Sequence, residues 1–436
     1  MRGEGLKRIH YSWVILSIAF FSIITAGIIR SSSGVFIVPF EQDFGWERST
    51  ISFAFAISLF LYGISGPFLA ALIERIGLKK MMVLATLTLL TGILLTFFMT
   101  EAWQLIVIWG IIIGVGSGLF LTVLSPYVAN QWFVKRRGLA LGILTASTAT
   151  GQLILLPVLA IIVEDYSWRW AMGLILILSL LTLLLILVFM KNSPQEIGGL
   201  AYGQEKASDT TKAEQKGNPI TVAFQILFEV AKVKAFWLLA ASFFICGLST
   251  SGLIGTHFIS YCMGFGFTAV AAASMLSLMG VFDLIGTTFS GWLSDRFDNR
   301  WLLFWYYGLR GISLVFLPFA LADGSYVFLV IFSIFYGLDW IATVPPTVNI
   351  ARQIFGIEKS VVVYGWVFAA HQLGAAVAAS GAGMFYNVFN SYTWAFALAG
   401  MFCLLASLFV IGIKKQPLSI IEKPSYHVDK IQLEKN

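Results

Sequence analysis

Five ionisable side chains stand inside long apolar stretches of this 436-residue sequence: Arg30, Asp283, Arg310, Asp339 and His371. A charge at the centre of a hydrocarbon layer costs about 2.5–3.5 kcal/mol on insertion scales, so each needs a partner or a task. Arginine presents a planar fork of donors that fits a carboxylate with two parallel bonds, and a dry site strengthens the pair. An aspartic acid in a low-dielectric cavity can load and release a proton. These types point to anion capture and proton handling. Hydrolytic chemistry has no carrier: His-Glu-x-x-His, Gly-x-Ser-x-Gly and Cys/His clusters are all missing from the sequence. No enzyme, metal or cofactor is expected.

The elements that must hold these groups are membrane helices. The chain is 58% hydrophobic and 11% charged, against roughly 25% charged residues in a water-soluble domain. Twelve apolar stretches begin near residues 13, 51, 81, 104, 138, 170, 235, 268, 301, 326, 361 and 392. Each approaches the roughly 20 residues that cross a hydrocarbon core. All but four of the 28 Lys and Arg residues fall in every other gap, from Arg2/Lys7/Arg8 through Arg75/Lys79/Lys80 and Lys135/Arg136/Arg137 to the tail after Lys414. Arg48 and Arg169 occupy intervening gaps; Arg30 and Arg310 lie within spans. Basic residues near short loops stay on the cytoplasmic side, so a multi-pass protein of the cell membrane with both termini cytoplasmic is expected. The net charge of +6 is spread over these segments without a basic cluster, so the bilayer, and no nucleic acid, is the expected partner. Lys7-Arg8 before an apolar run imitates a signal peptide, but the run extends through Phe36 and reads as a retained first helix. Cys246, Cys262 and Cys403 sit in or beside apolar spans and read as small apolar fillers.

Residues 191–234 are the long polar stretch and read as a linker between six-span bundles at 1–190 and 235–413, with a tail at 414–436. The bundles repeat weakly. Glu74-Arg75 after the second span returns as Asp295-Arg296 after the eighth, 221 residues on. Gly142 and Gly151 echo Gly365 and Gly374, and Ser167-Trp168-Arg169-Trp170 echoes Ser391-Tyr392-Thr393-Trp394. Three matches in near register imply a duplicated six-helix unit. In the fourth span Gly114-Val115-Gly116-Ser117-Gly118 imitates a phosphate loop; with no strand before it, close helix packing is the better reading.

This pattern resembles the major facilitator superfamily: twelve helices in a 6+6 arrangement, with acid-Arg loops after helices two and eight. Gly291-Trp292-Leu293-Ser294-Asp295-Arg296 is close to its G-x-L-x-D-R signature, while Ala70 and Glu74 depart from it in the first loop. Tyr11-Ser12-Trp13, Ser33-Gly34-Val35-Phe36 and Ser193-Pro194-Gln195-Glu196-Ile197-Gly198 are similar to the bacterial monocarboxylate and oxalate/formate branch. The resemblance implies an all-α membrane fold working by alternating access as a monomer, with helices one, four, seven and ten lining a central cavity and Glu74, Arg75, Asp295 and Arg296 acting as gating loops. Carriers of that branch commonly place an Arg four residues after an Asp in helix eight; here Asp283 is followed by Thr287.

On this basis Arg30, Tyr336, Asp339, His371 and Gln372 are the expected substrate-binding residues. Asp283 lies 12 residues before Asp295, and Arg310 lies 10 after Arg300. At the rise of an α-helix both sit roughly 15–18 Å deep, so a buried Asp283–Arg310 ion pair is expected. The function expected is transport of small organic anions, monocarboxylates first, by proton coupling or exchange for a counter-anion. A proton-coupled exporter of hydrophobic compounds is the alternative, and Arg30 argues against it, because a buried cation is a poor lining for cationic drugs.

Overall fold

Apolar stretches this long satisfy their backbone groups inside a bilayer only as helices, and helices are what form. The computed structural model describes residues 10–204, 219–322 and 324–414; within its helices a few side chains, Glu74 among them, lie outside the described residues. Among the described residues twelve helices are long and apolar enough to cross a membrane. The first half comprises α1 (Tyr11–Ser31), α2 (Arg48–Ile76), α3 (Leu78–Thr96), α4 (Ala102–Trp132), α5 (Arg137–Asp165) and α6 (Trp168–Phe189). The second comprises α7 (Lys234–Gly264), α8 (Ala269–Ser294), α9 (Asn299–Ala322), α10 (Tyr326–Gly356), α11 (Lys359–Phe389) and α12 (Thr393–Ile411). We call the end carrying the α6–α7 connection the linker end, and the opposite one the distal end. An amphipathic helix, Pro219–Val230, lies at the linker end, where Trp366 Nε1 donates to the Ala223 carbonyl at 3.0 Å.

Local chemistry sets the ends and breaks of these helices. The His10 ring caps α1 by accepting from the Ser12 N–H at 3.3 Å, and the Thr268 hydroxyl caps α8 by accepting from Ala271 at 3.1 Å. A second helical segment, Ser33–Phe44, continues α1 beyond Ser32 and stops at Gly45, which is left-handed at φ +69°. At its end Asp43 accepts from Trp168 Nε1 and Arg169 Nη1, both at 2.7 Å, and these bonds hold its carboxyl below the usual range. The glycines of α4 pack helix on helix: Gly110, Gly114 and Gly118 face Ala54/Ile57, Ser58 and Ser65 of α2, where a side chain would collide.

Helix α10 is broken. Its regular turns end at Asp339, and helix resumes at Val344, followed by Pro345-Pro346. Two prolines in a row remove the N–H groups that would serve the carbonyls four residues earlier, at Ile341 and Ala342. Backbone groups freed at mid-membrane must find partners in neighbouring helices.

The halves meet along α2–α11, α5–α8 and α1–α7. At the distal end Asn387 donates to Glu47 Oε2 (2.8 Å) and Ser49 Oγ (2.9 Å), and the Arg48 guanidinium lies 3.7 Å from the centre of the Tyr386 ring while pairing with Glu41 at 2.7 Å. Ser277 Oγ donates to the Gln152 carbonyl at 3.0 Å, joining α8 to α5. Toward the linker end the cavity continues between Gly142–Ala146 of α5 and Leu284–Thr288 of α8. The Asn387 and Arg48 contacts join the halves at the distal end, and the cavity extends on the linker side of them.

Candidate functional site

A cavity of about 310 Å³ lies between the halves, and Arg30 and Asp283 both line it. Arg30 stands one turn before the α1 extension, where Ser32 Oγ and Ser33 Oγ donate back to the Ile29 and Arg30 carbonyls at 2.8 and 3.0 Å. Its Nη2 crosses to the other half and donates to Ser251 Oγ at 3.0 Å. The guanidinium carbon sits 5.1 Å from the Tyr62 ring centre, within cation–π range. Arg30 Nε is buried with no hydrogen-bond partner. A buried donor without a partner is uncommon and costs about 1–3 kcal/mol, so this donor is poised for an acceptor.

Ser251 belongs to a wider, π-helical stretch of α7, Leu248–Ile254, of the kind often found at functional sites. It stands 221 residues after Arg30, the same offset that relates the acid-Arg loops. The two residues belong to different halves and bond directly to each other. Beside them a Cβ on Gly34 would come within 2.9 Å of the Thr256 carbonyl, so glycine is what lets α1 and α7 approach here.

The expected Asp283–Arg310 pair does not form. Arg310 is fully buried and its Nε bonds Asp339 Oδ2 at 2.6 Å; Nη2 donates to the carbonyls of Asp339 (2.5 Å) and Trp340 (3.2 Å), and Nη1 to Cys246 Sγ (3.0 Å). Asp283 Oδ1 instead accepts from Thr287 Oγ1 at 2.9 Å and from the Ile341 N–H at 2.8 Å. Ser290 Oγ donates to the Ala342 carbonyl at 2.5 Å. The reason for the correction is the break in α10. Depth along a helix placed Asp283 and Arg310 at one level, but the freed carbonyls and N–H of residues 339–342 draw the arginine to one side of the break and the aspartate to the other. These side chains replace the missing helical hydrogen bonds.

The other expected binding residues are not among those lining the cavity. Asp339 is committed to Arg310. Tyr336 is buried and donates to the Ser249 carbonyl at 3.0 Å. His371 is packed between Phe368, stacked at 5.6 Å, and Phe243 at 4.9 Å, with Nδ1 unpartnered. Gln372 fills the space that Gly63 leaves open on α2, at the crossing of α2 and α11. Of the loop residues, Arg75, Asp295 and Arg296 are exposed, and Arg296, just past α8, lies over the Trp292 ring of that helix at 4.2 Å. Glu74 is in the last turns of α2, with its side chain outside the described residues.

A profile of the Major Facilitator Superfamily matches residues 19–350 and 265–425, nearly the whole chain. The chain belongs to this superfamily. It is a membrane transporter and not an enzyme. This superfamily member is 26% identical over 406 residues to monocarboxylate transporter 13 of Rattus norvegicus, covering 91% of this chain and 87% of that one. It is 24% identical over 400 residues to the MFS-type transporter YcxA of Bacillus subtilis (strain 168), covering 91% and 93%. Among solved structures, the D-xylose-proton symporter superposes with a TM-score of 0.70 at 16% identity, covering 94% of this chain and all of that one, a likeness of fold.

Ser251, Thr287 and Ser290 escaped the reading of charges because hydroxyl residues are common in membrane helices and announce nothing by type. The signal that could have found Ser251 is its offset from Arg30. Ser290 could have been sought once Pro345-Pro346 was seen to free a carbonyl.

Proposed function

We propose that this transporter carries small organic anions, with monocarboxylates the first candidates, and that Arg30 receives the carboxylate. The observation that carries the reading is a single one: a cavity between the halves holds an arginine with no carboxylate partner named among the described residues and with a buried donor left open. Arg310, the guanidinium buried within the second half, has its donors spent on α10 and on Cys246 of α7. A guanidinium fork selects planar anions over neutral solutes. The names of relatives at about one quarter identity agree with this substrate class. With the linker end cytoplasmic, as the basic gaps suggest, the conformation is inward-facing, and exchange with the distal side follows when α1–α7 and α2–α11 part there. Asp283 faces the same cavity and is the carboxyl suited to carry a coupled proton, its Oδ2 taking neither of the two bonds named to Oδ1.

The test is uptake of labelled monocarboxylates, dicarboxylates and neutral analogues into proteoliposomes, with and without an imposed proton gradient. Arg30→Lys keeps the charge and loses the fork, so KM for the transported acid is expected to rise at least ten-fold; Arg30→Gln is expected to abolish transport of a protein that still inserts. Full carboxylate transport by Arg30→Gln would overturn the reading and favour export of hydrophobic compounds.

A further inference from the structure

The donors of Arg30 divide in a way that gives a second residue of the site a task. We propose that Ser251 is a placeholder for the substrate carboxylate: the anion takes its place on Arg30, and in doing so breaks a bond between the two halves. This rests on Arg30 as the anion residue.

A carboxylate that binds a guanidinium side-on uses two neighbouring donors on one edge, Nε and Nη2. Here Nε is buried and unpartnered, while Nη2 is held by the neutral Ser251 hydroxyl at 3.0 Å. Nε thus has no partner, and one N–H of Nη2 is spent on a neutral, weaker acceptor. A charged acceptor forms a bond roughly twice as strong as a neutral one, so the carboxylate displaces the hydroxyl. The Tyr62 ring against the guanidinium supports its plane whichever acceptor is present. The turn carrying Ser251 does not rest on its side chain, because Thr256 Oγ1 bonds the Ser251 carbonyl at 3.1 Å.

Ser251 and Arg30 belong to different halves and lie where Gly34 lets α1 approach Thr256. Their bond is a strut of the distally closed state. When an anion replaces Ser251, loading the site and removing the strut become one event, which favours distal opening with substrate aboard over opening empty.

The experiment measures equilibrium binding of labelled pyruvate, lactate and oxalate by the full chain in detergent. In parallel, maleimide reacts with Ser52→Cys, a site that packs against Gly383 in the distal closure; the three native cysteines are buried. Removing a competing neutral hydrogen bond is expected to tighten binding about three- to ten-fold in Ser251→Ala. Combined with Ser52→Cys, the same change is expected to speed maleimide labelling at position 52 without anion, leaving little further increase on adding it. Ser251→Thr should behave as wild type, and Ser251→Cys, a weaker acceptor of similar size, should shift binding in the direction of Ala. Weaker binding by Ser251→Ala would make Ser251 a ligand and overturn the placeholder, as would unchanged binding and labelling. Undiminished binding by Arg30→Gln, or no binding of any probe by wild type, would instead overturn the anion site itself.

Discussion

Arg310 should be the most expensive side chain to remove from the second half, and the pattern of loss should expose the break in α10. Its side chain is fully buried, pairs with Asp339 at 2.6 Å, and donates to the carbonyls of residues 339 and 340. Removing one partner of a buried ion pair costs about 3–5 kcal/mol. Each carbonyl left without a donor adds about 1–3 kcal/mol. Arg310→Leu therefore loses the pair and two carbonyl bonds together, and Asp339→Leu loses the pair alone while stranding the cation. For a simple ion pair, replacing both members with apolar residues is close to neutral. Here the double change Arg310→Leu/Asp339→Leu removes the stranded charge yet leaves the two carbonyls bare, a residual cost of roughly 2–6 kcal/mol. The expected order of thermal stability in detergent, followed by tryptophan fluorescence, is wild type, then double variant, with Arg310→Leu lowest. A double variant as stable as wild type would reduce Arg310 to an ordinary pair and refute the claim that it serves the break. Stability losses that simply add would refute the pair.

Two further outcomes concern the cycle. Asp283→Asn keeps an oxygen acceptor for Ile341, so folding should survive, and anion exchange should persist while accumulation driven by a pH gradient is lost; if Asp339→Asn removes that drive and Asp283→Asn does not, the proton belongs to the α10 site instead. Asp295→Asn, at the exposed end of α8, should slow turnover and favour the state open at the linker end while leaving the ranking of substrates unchanged, and an altered ranking in the uptake panel would count against a gating role.

The fold was legible because its causes are local and repeated. Apolar length, the alternation of basic gaps and the 221-residue register of Glu74-Arg75 with Asp295-Arg296 each follow from the demands of a bilayer and a duplicated unit. Arg30 stood out as a candidate for a similar reason: a cation in an apolar span is conspicuous by type. The partners of the other charges were not, because a depth along the helix fixes height and says nothing about which way a side chain faces. Asp339 and His371 sit at plausible heights and point into the packing of the second half, while Asp283, assigned to a structural pair, faces the cavity.

What would have corrected the assignment is an account of backbone hydrogen bonds rather than of charges. Pro345-Pro346 deprives two carbonyls of their helical donors, and a membrane offers no water to replace them. Ile341 finds the Val344 N–H at 2.9 Å and Ala342 the Ser290 hydroxyl of α8, while the same break leaves the carbonyls of Asp339 and Trp340 to Arg310 of α9 and the Ile341 N–H to Asp283. Once Arg310 is taken in this way, Arg30 is the guanidinium left for the cavity. The proposed anion site thus rests on elimination at the backbone as well as on geometry, and its two charged groups are held differently. Asp283 touches both the cavity and the Ile341 N–H, so a change of charge there acts directly on the α10 break. Arg30 touches the other half through Ser251, so an anion there acts on the distal closure. Proton and anion would each loosen a different seam of the same cavity, a physical route by which their movements are coupled without contact between them.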